Sequence, residues 1–109
     1  MNWSLTFLNE AREDIRKLDH SVYPIIIKGI RKVQQNPLPT NEGGYGKPLQ
    51  NLNGVNLKGF LKIKFASAGI RVVYNVVRSE HEMKVIVVSA RADNEVYKEA
   101  AKRINKYHL

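Results

Sequence analysis

Two lysines in the short segment "LKIKF" are the first residues whose types and spacing point to chemistry. The segment has the composition of a β-strand, and strand side chains alternate between two faces, so Lys62 and Lys64 share one face. They stand roughly 7 Å apart along the strand and repel each other. The strand carries no carboxylate that would pair with them. Such a face predicts a binding site for an anion, above all for phosphate.

A hairpin register adds a third cation to this face. If the turn "ASAG" pairs Phe65 with Ile70, apolar residues meet apolar residues along the whole hairpin, whereas a one-residue slip would bury the wrong set. The same register places Arg71 directly opposite Lys64. The hairpin that buries its core best therefore gathers Lys62, Lys64 and Arg71 on one open face.

Cations on one face can promote the cleavage of RNA by its own 2′-hydroxyl. An enzyme for this reaction holds the hydroxyl in line with the phosphate, stabilises the added negative charge and moves two protons. Arginine forks fit the equatorial oxygens of the transition state, and a lysine among other cations releases its proton more easily and can act as a base. Arg91, at the end of the last predicted strand, and Tyr97, early in the last helix, are placed to complete the face, with Tyr97 stacking on a base.

Other kinds of site find little support in the sequence. The chain has no cysteine, its three histidines are not spaced like metal ligands, and the segment "GGYGKP" lacks the ending of a phosphate-binding P-loop. We therefore expect no cofactor and no metal. The N-terminus does not lead from a basic region into a long apolar run, and no apolar stretch approaches the ~20 residues that span a bilayer. These features predict a soluble protein of the cytoplasm.

The net charge of +8 is concentrated in the second half of the chain. Residues 58–109 hold 11 of the 18 lysines and arginines but 5 of the 10 acidic residues. A basic surface of this kind suits a polyanion such as a nucleic acid, or an acidic protein. A solvated basic surface without a specific ligand is the alternative that composition leaves open.

The elements that position these residues follow from the hydrophobic pattern. The pattern predicts a strand over 2–8, a helical hairpin broken at 19–20, a long connection over 36–59, strands over 60–65, 71–78 and 83–90, and a helix over 93–107. Asp93 or Asn94 is expected to cap the last helix. The register of the last strand stays open, because residues 85–88 are apolar on both faces.

Together these elements predict an α+β fold in one domain over residues 1–109. A small antiparallel β-sheet carries the N-terminal helical hairpin, and a C-terminal helix closes the fold. Four apolar residues are placed to hold the long connection against this body: Leu49, Leu52, Val55 and Leu57.

Most of the chain resembles a known family, and the second half carries the specific motifs, whereas the first half is compatible with it. The segments "LKIKFASAGIRVVYNV" and "VIVVSARADNEVYKEAAKRI" resemble the RelE/ParE toxin superfamily, and its RelE branch in particular. The resemblance implies a RelE-like fold and a toxin of a type II toxin–antitoxin pair, which enters the ribosomal A site and cleaves the mRNA there by 2′-hydroxyl attack. It also implies an acidic RelB-like antitoxin as partner, with operator DNA bound only through the complex of the two proteins.

The catalytic pattern of the RelE branch falls on five residues of this chain: Lys62, Lys64, Arg71, Arg91 and Tyr97. The resemblance implies phosphate binding and base catalysis for the two lysines, and stabilisation of transition-state charge or protonation of the leaving group for the two arginines. Tyr97 would stack on the RNA or orient it. The chain departs from the pattern next to the second arginine, since Ala90, Ala92 and Asp93 stand where some relatives carry basic side chains.

Two other interpretations remain open. A ParE-like toxin has the same fold but inhibits DNA gyrase by binding, and the resemblance implies that such proteins lack the Lys/Arg/Tyr set found here. A basic RNA-binding or protein-binding domain without catalysis would account for the charge equally well. Cleavage of mRNA during translation separates the main interpretation from both alternatives.

Overall fold

The structure, a computed structural model, describes residues 3–52 and 55–109. This part of the chain contains three α-helices: α1 (Asn9–Arg16), α2 (Tyr23–Gln34) and α3 (Asp93–Tyr107). Its strands are β1 (Ser4–Phe7), β2 (Lys47–Pro48), β3 (Asn51–Leu52), β4 (Val55–Asn56), β5 (Leu61–Phe65), β6 (Ile70–Val77) and β7 (Glu82–Ser89). None of these helices has the length and apolar character that crossing a membrane requires.

Five of the strands form one sheet in the order β1-β7-β6-β5-β2. The pairs β7/β6, β6/β5 and β5/β2 are antiparallel, whereas β1 runs parallel to β7. The predicted α+β fold is confirmed, but the sheet is mixed rather than wholly antiparallel. Parallel neighbours need a long crossover, and here both N-terminal helices and the central strands separate β1 from β7 along the chain.

The hairpin of β5 and β6 has the register that the apolar pattern predicts. Phe65 pairs with Ile70, and Lys64 pairs with Arg71. The turn between the strands ends at Gly69, whose φ of 67° lies in the left-handed region where glycine carries no steric penalty. This turn fixes which residues face each other along both strands.

β7 contains a β-bulge, which explains why four successive residues of that strand are apolar. Between Val73 and Tyr74 of β6 the register shifts by one residue, which leaves Ile86 without a cross-strand partner. Ile86 and Val87 consequently lie in the same buried cluster. An alternating pattern cannot predict such a bulge, so the register of β7 could not be assigned from the sequence.

The two faces of the sheet carry separate hydrophobic cores. The helical hairpin covers one face with buried residues from both helices: Ala11, Ile26, Ile30 and Val33. The other face is covered by α3 together with the connection that precedes β5. Leu49 and Leu57 of this connection are buried as predicted and Val55 is half-buried, whereas the side chain of Leu52 lies outside the described part of the chain.

Arg103 joins α1, α3 and the bulge of β7. Its Nη1 donates to Asp14 Oδ2 at 2.7 Å and to the Ile86 carbonyl at 2.9 Å. Its Nε donates to Glu99 at 2.8 Å, and Asp14 also accepts a hydrogen bond from the backbone N–H of Val88 at 3.0 Å. These contacts satisfy backbone groups beside the bulge and fix α3 relative to the sheet.

Candidate active site

The predicted cations of the β5/β6 hairpin lie on the face of the sheet that α3 partly covers. Lys62 pairs with Val73, and Lys64 pairs with Arg71. Directly paired residues project from the same face, so the three cations are neighbours. Val73 belongs to the core beneath α3, which identifies the face. On this face Lys62 is half-buried and Lys64 is exposed.

A fourth cation, Lys47, extends this row across the sheet. Lys47 lies in β2, is exposed and pairs directly with Lys62. The sequence pattern does not predict it, because a two-residue strand inside a long connection is too short to show alternation. The glycine before Lys47 is the one feature of the sequence that hints at this strand. Gly46 is buried, and a Cβ there would overlap the Tyr74 hydroxyl and Leu61, so a glycine is needed for the chain to lie this close to β5 and β6.

Arg71 lies between the row of lysines and the start of α3. Its Nε contacts the carboxylate of Asp93, and its Nη1 donates to the Arg91 carbonyl at 3.0 Å. A guanidinium has five N–H groups, and the Nη2 group of Arg71 has no partner among the described residues. The side chain is 22% exposed, which leaves part of the fork open to an anion.

Asp93 brings a carboxylate to a face where the paired strands β5 and β6 supply none. The prediction that Asp93 or Asn94 caps α3 is wrong: Ala92 occupies the N-cap position without a side-chain hydrogen bond, and Asp93 is the first helical residue. The Asp93 carboxylate contacts Arg71 instead, and its side chain is 44% exposed. Because this charge lies on a helix, the sequences of the strands do not predict it.

Arg91 is held beside Arg71 by its main chain. The bulge shifts the ladder so that Ser89, rather than Val88, lies opposite Arg71. The Ser89 hydroxyl accepts a hydrogen bond from the Arg91 N–H at 3.1 Å, and the Arg91 carbonyl accepts one from Arg71. The Arg91 side chain is exposed and pairs with no carboxylate among the described residues. We call the following set the cationic face: Lys47, Lys62, Lys64, Arg71 and Arg91.

Tyr97 differs from the other predicted site residues because it is buried. It is 5% exposed and belongs to the same core as Val73 and Leu57. Burial raises the pKa of its hydroxyl above the ordinary value, the charge of Asp93 raises it further, and Arg71 lowers it. The hydroxyl is therefore protonated at neutral pH and can donate a hydrogen bond. A ring with so little exposed surface has no open face for a base, so an orienting role fits this structure better than stacking.

A groove of about 410 Å³ lies beside the cationic face, between α1 and α3. Its charged lining is balanced, with three cations, Lys17, Arg91 and Arg103, and three carboxylates, Asp14, Glu95 and Glu99. Carboxylates repel a phosphate. The cationic face has an excess of positive charge that this groove lacks, and it therefore suits the backbone of RNA better.

No family model matches the chain. The mRNA interferase toxin RelE of Escherichia coli strain K12 is 32% identical to it over 107 residues, which cover 95% of this chain and 99% of that protein. A solved structure of free E. coli RelE toxin, with two arginines replaced by alanine, has a TM-score of 0.73 and 31% identity over 95% of this chain and 99% of that one. A chain of the intact E. coli RelBE toxin–antitoxin complex has a TM-score of 0.62 and 27% identity over 83% of this chain and 98% of that one. Identity at this level over almost the whole of both sequences, on a shared fold, means that the chain belongs to the RelE family of toxins.

Proposed function

We propose that the chain is the toxin of a type II toxin–antitoxin system and acts as a ribosome-dependent endoribonuclease, which cleaves mRNA in the A site and inhibits translation. The observation that carries this proposal is the cationic face, where Lys62, Lys64 and Arg71 share one side of a hairpin and Arg91 adjoins them. The E. coli relative, named an mRNA interferase toxin, supports the same chemistry.

In the proposed reaction, the 2′-hydroxyl of the RNA attacks the adjacent phosphate. Lys62 and Lys64 bind this phosphate, and one of them accepts the proton of the attacking hydroxyl. Arg71 and Arg91 stabilise the negative charge that develops on the phosphate, and one of them protonates the leaving 5′-oxygen. Tyr97 is buried in the core, so its proposed role is to orient neighbouring side chains of the site rather than to stack on a base.

The open shape of the cationic face explains why the proposed cleavage would require the ribosome. Lys64 and Arg91 are exposed on an open sheet surface, which supplies charge but does not enclose an RNA strand. In-line attack needs the hydroxyl and the phosphate to be held in a defined geometry, and such positioning contributes a large part of the rate. We infer that the ribosome supplies this positioning by holding the codon in the A site.

An acidic antitoxin fits the net charge of +8. The similar E. coli structure is a toxin–antitoxin complex, and we propose a RelB-like antitoxin as the partner of this chain, with operator DNA bound through the complex. Complementary charge speeds the encounter of two such proteins. From the proposed target and the proposed partner we expect this activity in the cytoplasm.

A non-catalytic RNA-binding domain is the second candidate function. The contact between Asp93 and Arg71 favours it, because that contact offsets one of the cations that the reaction uses. The ParE-like alternative accounts for the fold but gives no role to the cationic face. Binding of RNA without cleavage distinguishes the second candidate from the main proposal.

Primer extension on an mRNA in a reconstituted translation reaction tests the proposal. The purified wild-type protein should produce new 3′ ends within A-site codons, these should depend on ribosomes, and Arg91→Ala should abolish them. Arg31→Ala is the matched control, because Arg31 is exposed on α2, which packs on the opposite face of the sheet. Absence of cleavage by folded wild-type protein free of antitoxin would overturn the proposal, and a gyrase assay would then test the ParE-like function.

A further inference from the structure

We propose that Asp93 is a positioning residue that neutralises Arg71 in the free protein and thereby weakens the binding of phosphate at the cationic face. Asp93 acts through Arg71 and does not contact the reacting atoms. Its consequence for RNA cleavage rests on the proposed function, whereas its effect on anion binding can be measured without it.

The contact between Arg71 and Asp93 singles out one member of the cationic face. The other four cations of the face have no carboxylate partner among the described residues. Arg71 carries the planar fork that fits phosphate oxygens, and it lies at the centre of the row, between Lys64 and Ser89. One carboxylate therefore acts on a central cation that carries a phosphate-binding fork.

The contact also occupies Nε, one of the donors of the fork that a phosphate could use. Arg71 Nε contacts Asp93, and Nη1 donates to the Arg91 carbonyl at 3.0 Å. A phosphate that binds side-on needs Nε together with a neighbouring N–H group. It must displace the Asp93 carboxylate or bind next to it, and in both cases the negative charge of Asp93 opposes binding.

The two side chains are partly open to solvent, although the atoms in contact, Arg71 Nε and Asp93 Oδ1, are themselves buried. The side chains of Arg71 and Asp93 are 22% and 44% exposed, so water and salt reach the pair from its outer side and screen part of the attraction. The charge of Asp93 also acts on Tyr97, four residues further along α3, because it raises the pKa of that hydroxyl. Asp93 thus influences two of the residues assigned to the proposed reaction.

Glu95 offers a matched control for Asp93. Both acids lie in the first turn of α3, where both interact favourably with the helix dipole. Replacing either by its amide removes one negative charge. Glu95 is exposed and makes no ion pair among the described residues. A difference between the two amide variants therefore reports the contact with Arg71 rather than the loss of a charge in general.

The test is the binding of a fluorescently labelled single-stranded RNA that carries 2′-O-methyl groups and so cannot be cleaved. Measured by fluorescence anisotropy at fixed salt, Asp93→Asn should bind at least about three-fold more tightly than the wild type, and Glu95→Gln should change affinity by less than about 1.5-fold. Asp93→Glu should restore the wild-type affinity. Equal affinities in the two amide variants, or weaker binding by Asp93→Asn, would overturn the proposal.

A double-mutant cycle keeps the result interpretable if Asp93→Asn alters the start of α3. In an Arg71→Gln background, Asp93→Asn should no longer tighten binding beyond the effect of Glu95→Gln. Tightening that persists without Arg71 would overturn the proposal. If the wild-type protein does not cleave mRNA, the proposed function falls, while these binding comparisons still decide the role of Asp93.

Discussion

Arg103 and Arg71 both connect α3 to the sheet, but their charges and donors are satisfied to different degrees. Arg103 is 8% exposed, and its three nitrogens donate to the carboxylates of Asp14 and Glu99 and to one backbone carbonyl. Arg71 is 22% exposed, contacts one carboxylate and one carbonyl, and keeps its Nη2 group without a partner among the described residues.

This difference separates an arginine that stabilises the fold from one that can bind a ligand. One positive charge on Arg103 faces two carboxylates, so the site has no excess charge to attract an anion. One positive charge on Arg71 faces one carboxylate, and three lysines without carboxylate partners lie on the same face of the described structure: Lys47, Lys62 and Lys64. The number and charge of the partners, not the residue type, therefore indicate the role of each arginine.

The largest expected effect comes from removing the fully paired arginine. Arg103→Met should lower the free energy of unfolding by about 3 kcal/mol, because it leaves the 15% exposed carboxylate of Asp14 without its charged partner. Chemical denaturation measures the loss. Arg16→Met is the control, since the Arg16–Glu13 pair is exposed and its removal should cost less than about 1 kcal/mol. Similar losses in both variants would mean that the Arg103 pairs contribute no more than surface pairs.

Arg71→Ala should give the opposite result, with a large loss of activity and a small loss of stability. Cleavage in reconstituted translation should fall by about 100-fold or more, because the fork stabilises charge in the transition state. The free energy of unfolding should fall by less than about 2 kcal/mol, because the two side chains are partly exposed although the contacting atoms Arg71 Nε and Asp93 Oδ1 are buried. Primer extension and chemical denaturation of the same preparation measure both quantities. A stability loss as large as that of Arg103→Met would place Arg71 among the structural arginines.

The site was predictable from the sequence wherever strand alternation decides the geometry. Alternation placed Lys62 and Lys64 on one face, and the matching of apolar residues gave the register that adds Arg71. Both rules depend on residues that are close in sequence, and the structure confirms both. The position of Arg91 at the end of the last strand also followed from the local pattern.

The features that the sequence did not reveal depend on contacts between distant segments. The bulge at Ile86 lies inside a uniform apolar run, and Lys47 belongs to a strand of two residues that forms only against β5. Asp93 reaches Arg71 from a helix, across the face rather than along a strand. The parallel pairing of β1 with β7 is a further case, because the apolar pattern of an edge strand carries no information about its partner.

Removing a lysine that has no carboxylate partner among the described residues tests whether the unpaired cations of the cationic face bind RNA. Lys47→Gln deletes a charge directly across from Lys62, so the free energy of unfolding should stay the same or rise slightly. Binding of single-stranded RNA should weaken. A plot of the logarithm of the association constant against the logarithm of the salt concentration should have a slope that is smaller in magnitude by about 0.7. Anisotropy at several salt concentrations measures this slope, with Lys28→Gln on α2 as control. An unchanged slope would mean that Lys47 does not contact the RNA.

The smallest effect is expected at the C-terminal end of α3. There the helix contacts α1 through exposed side chains rather than through a buried network like that of Arg103. Glu10 of α1 accepts hydrogen bonds from the Tyr107 hydroxyl at 2.8 Å and from Lys106 at 3.0 Å. Both bonds lower the pKa of Glu10, which falls from 4.5 to about 2, and the bond from Tyr107 has the larger effect. The unfolded chain therefore binds this proton more tightly, so Glu10 stabilises the fold above pH 4.5 and loses its contribution as the pH falls toward 2.

Tyr107→Phe should consequently lower the melting temperature slightly at pH 7, and the gap to the wild type should close as the pH falls from 4.5 to about 2. The effect is small because Tyr107 is 38% exposed, so water competes for its hydrogen bond to Glu10, and because Lys106 still pairs with Glu10 in the variant. Thermal unfolding of both proteins across this pH range measures the gap. A gap of the same size at pH 2 and pH 7 would contradict the prediction. It would mean that Tyr107 stabilises the docking of α3 through contacts of its ring, which do not depend on pH.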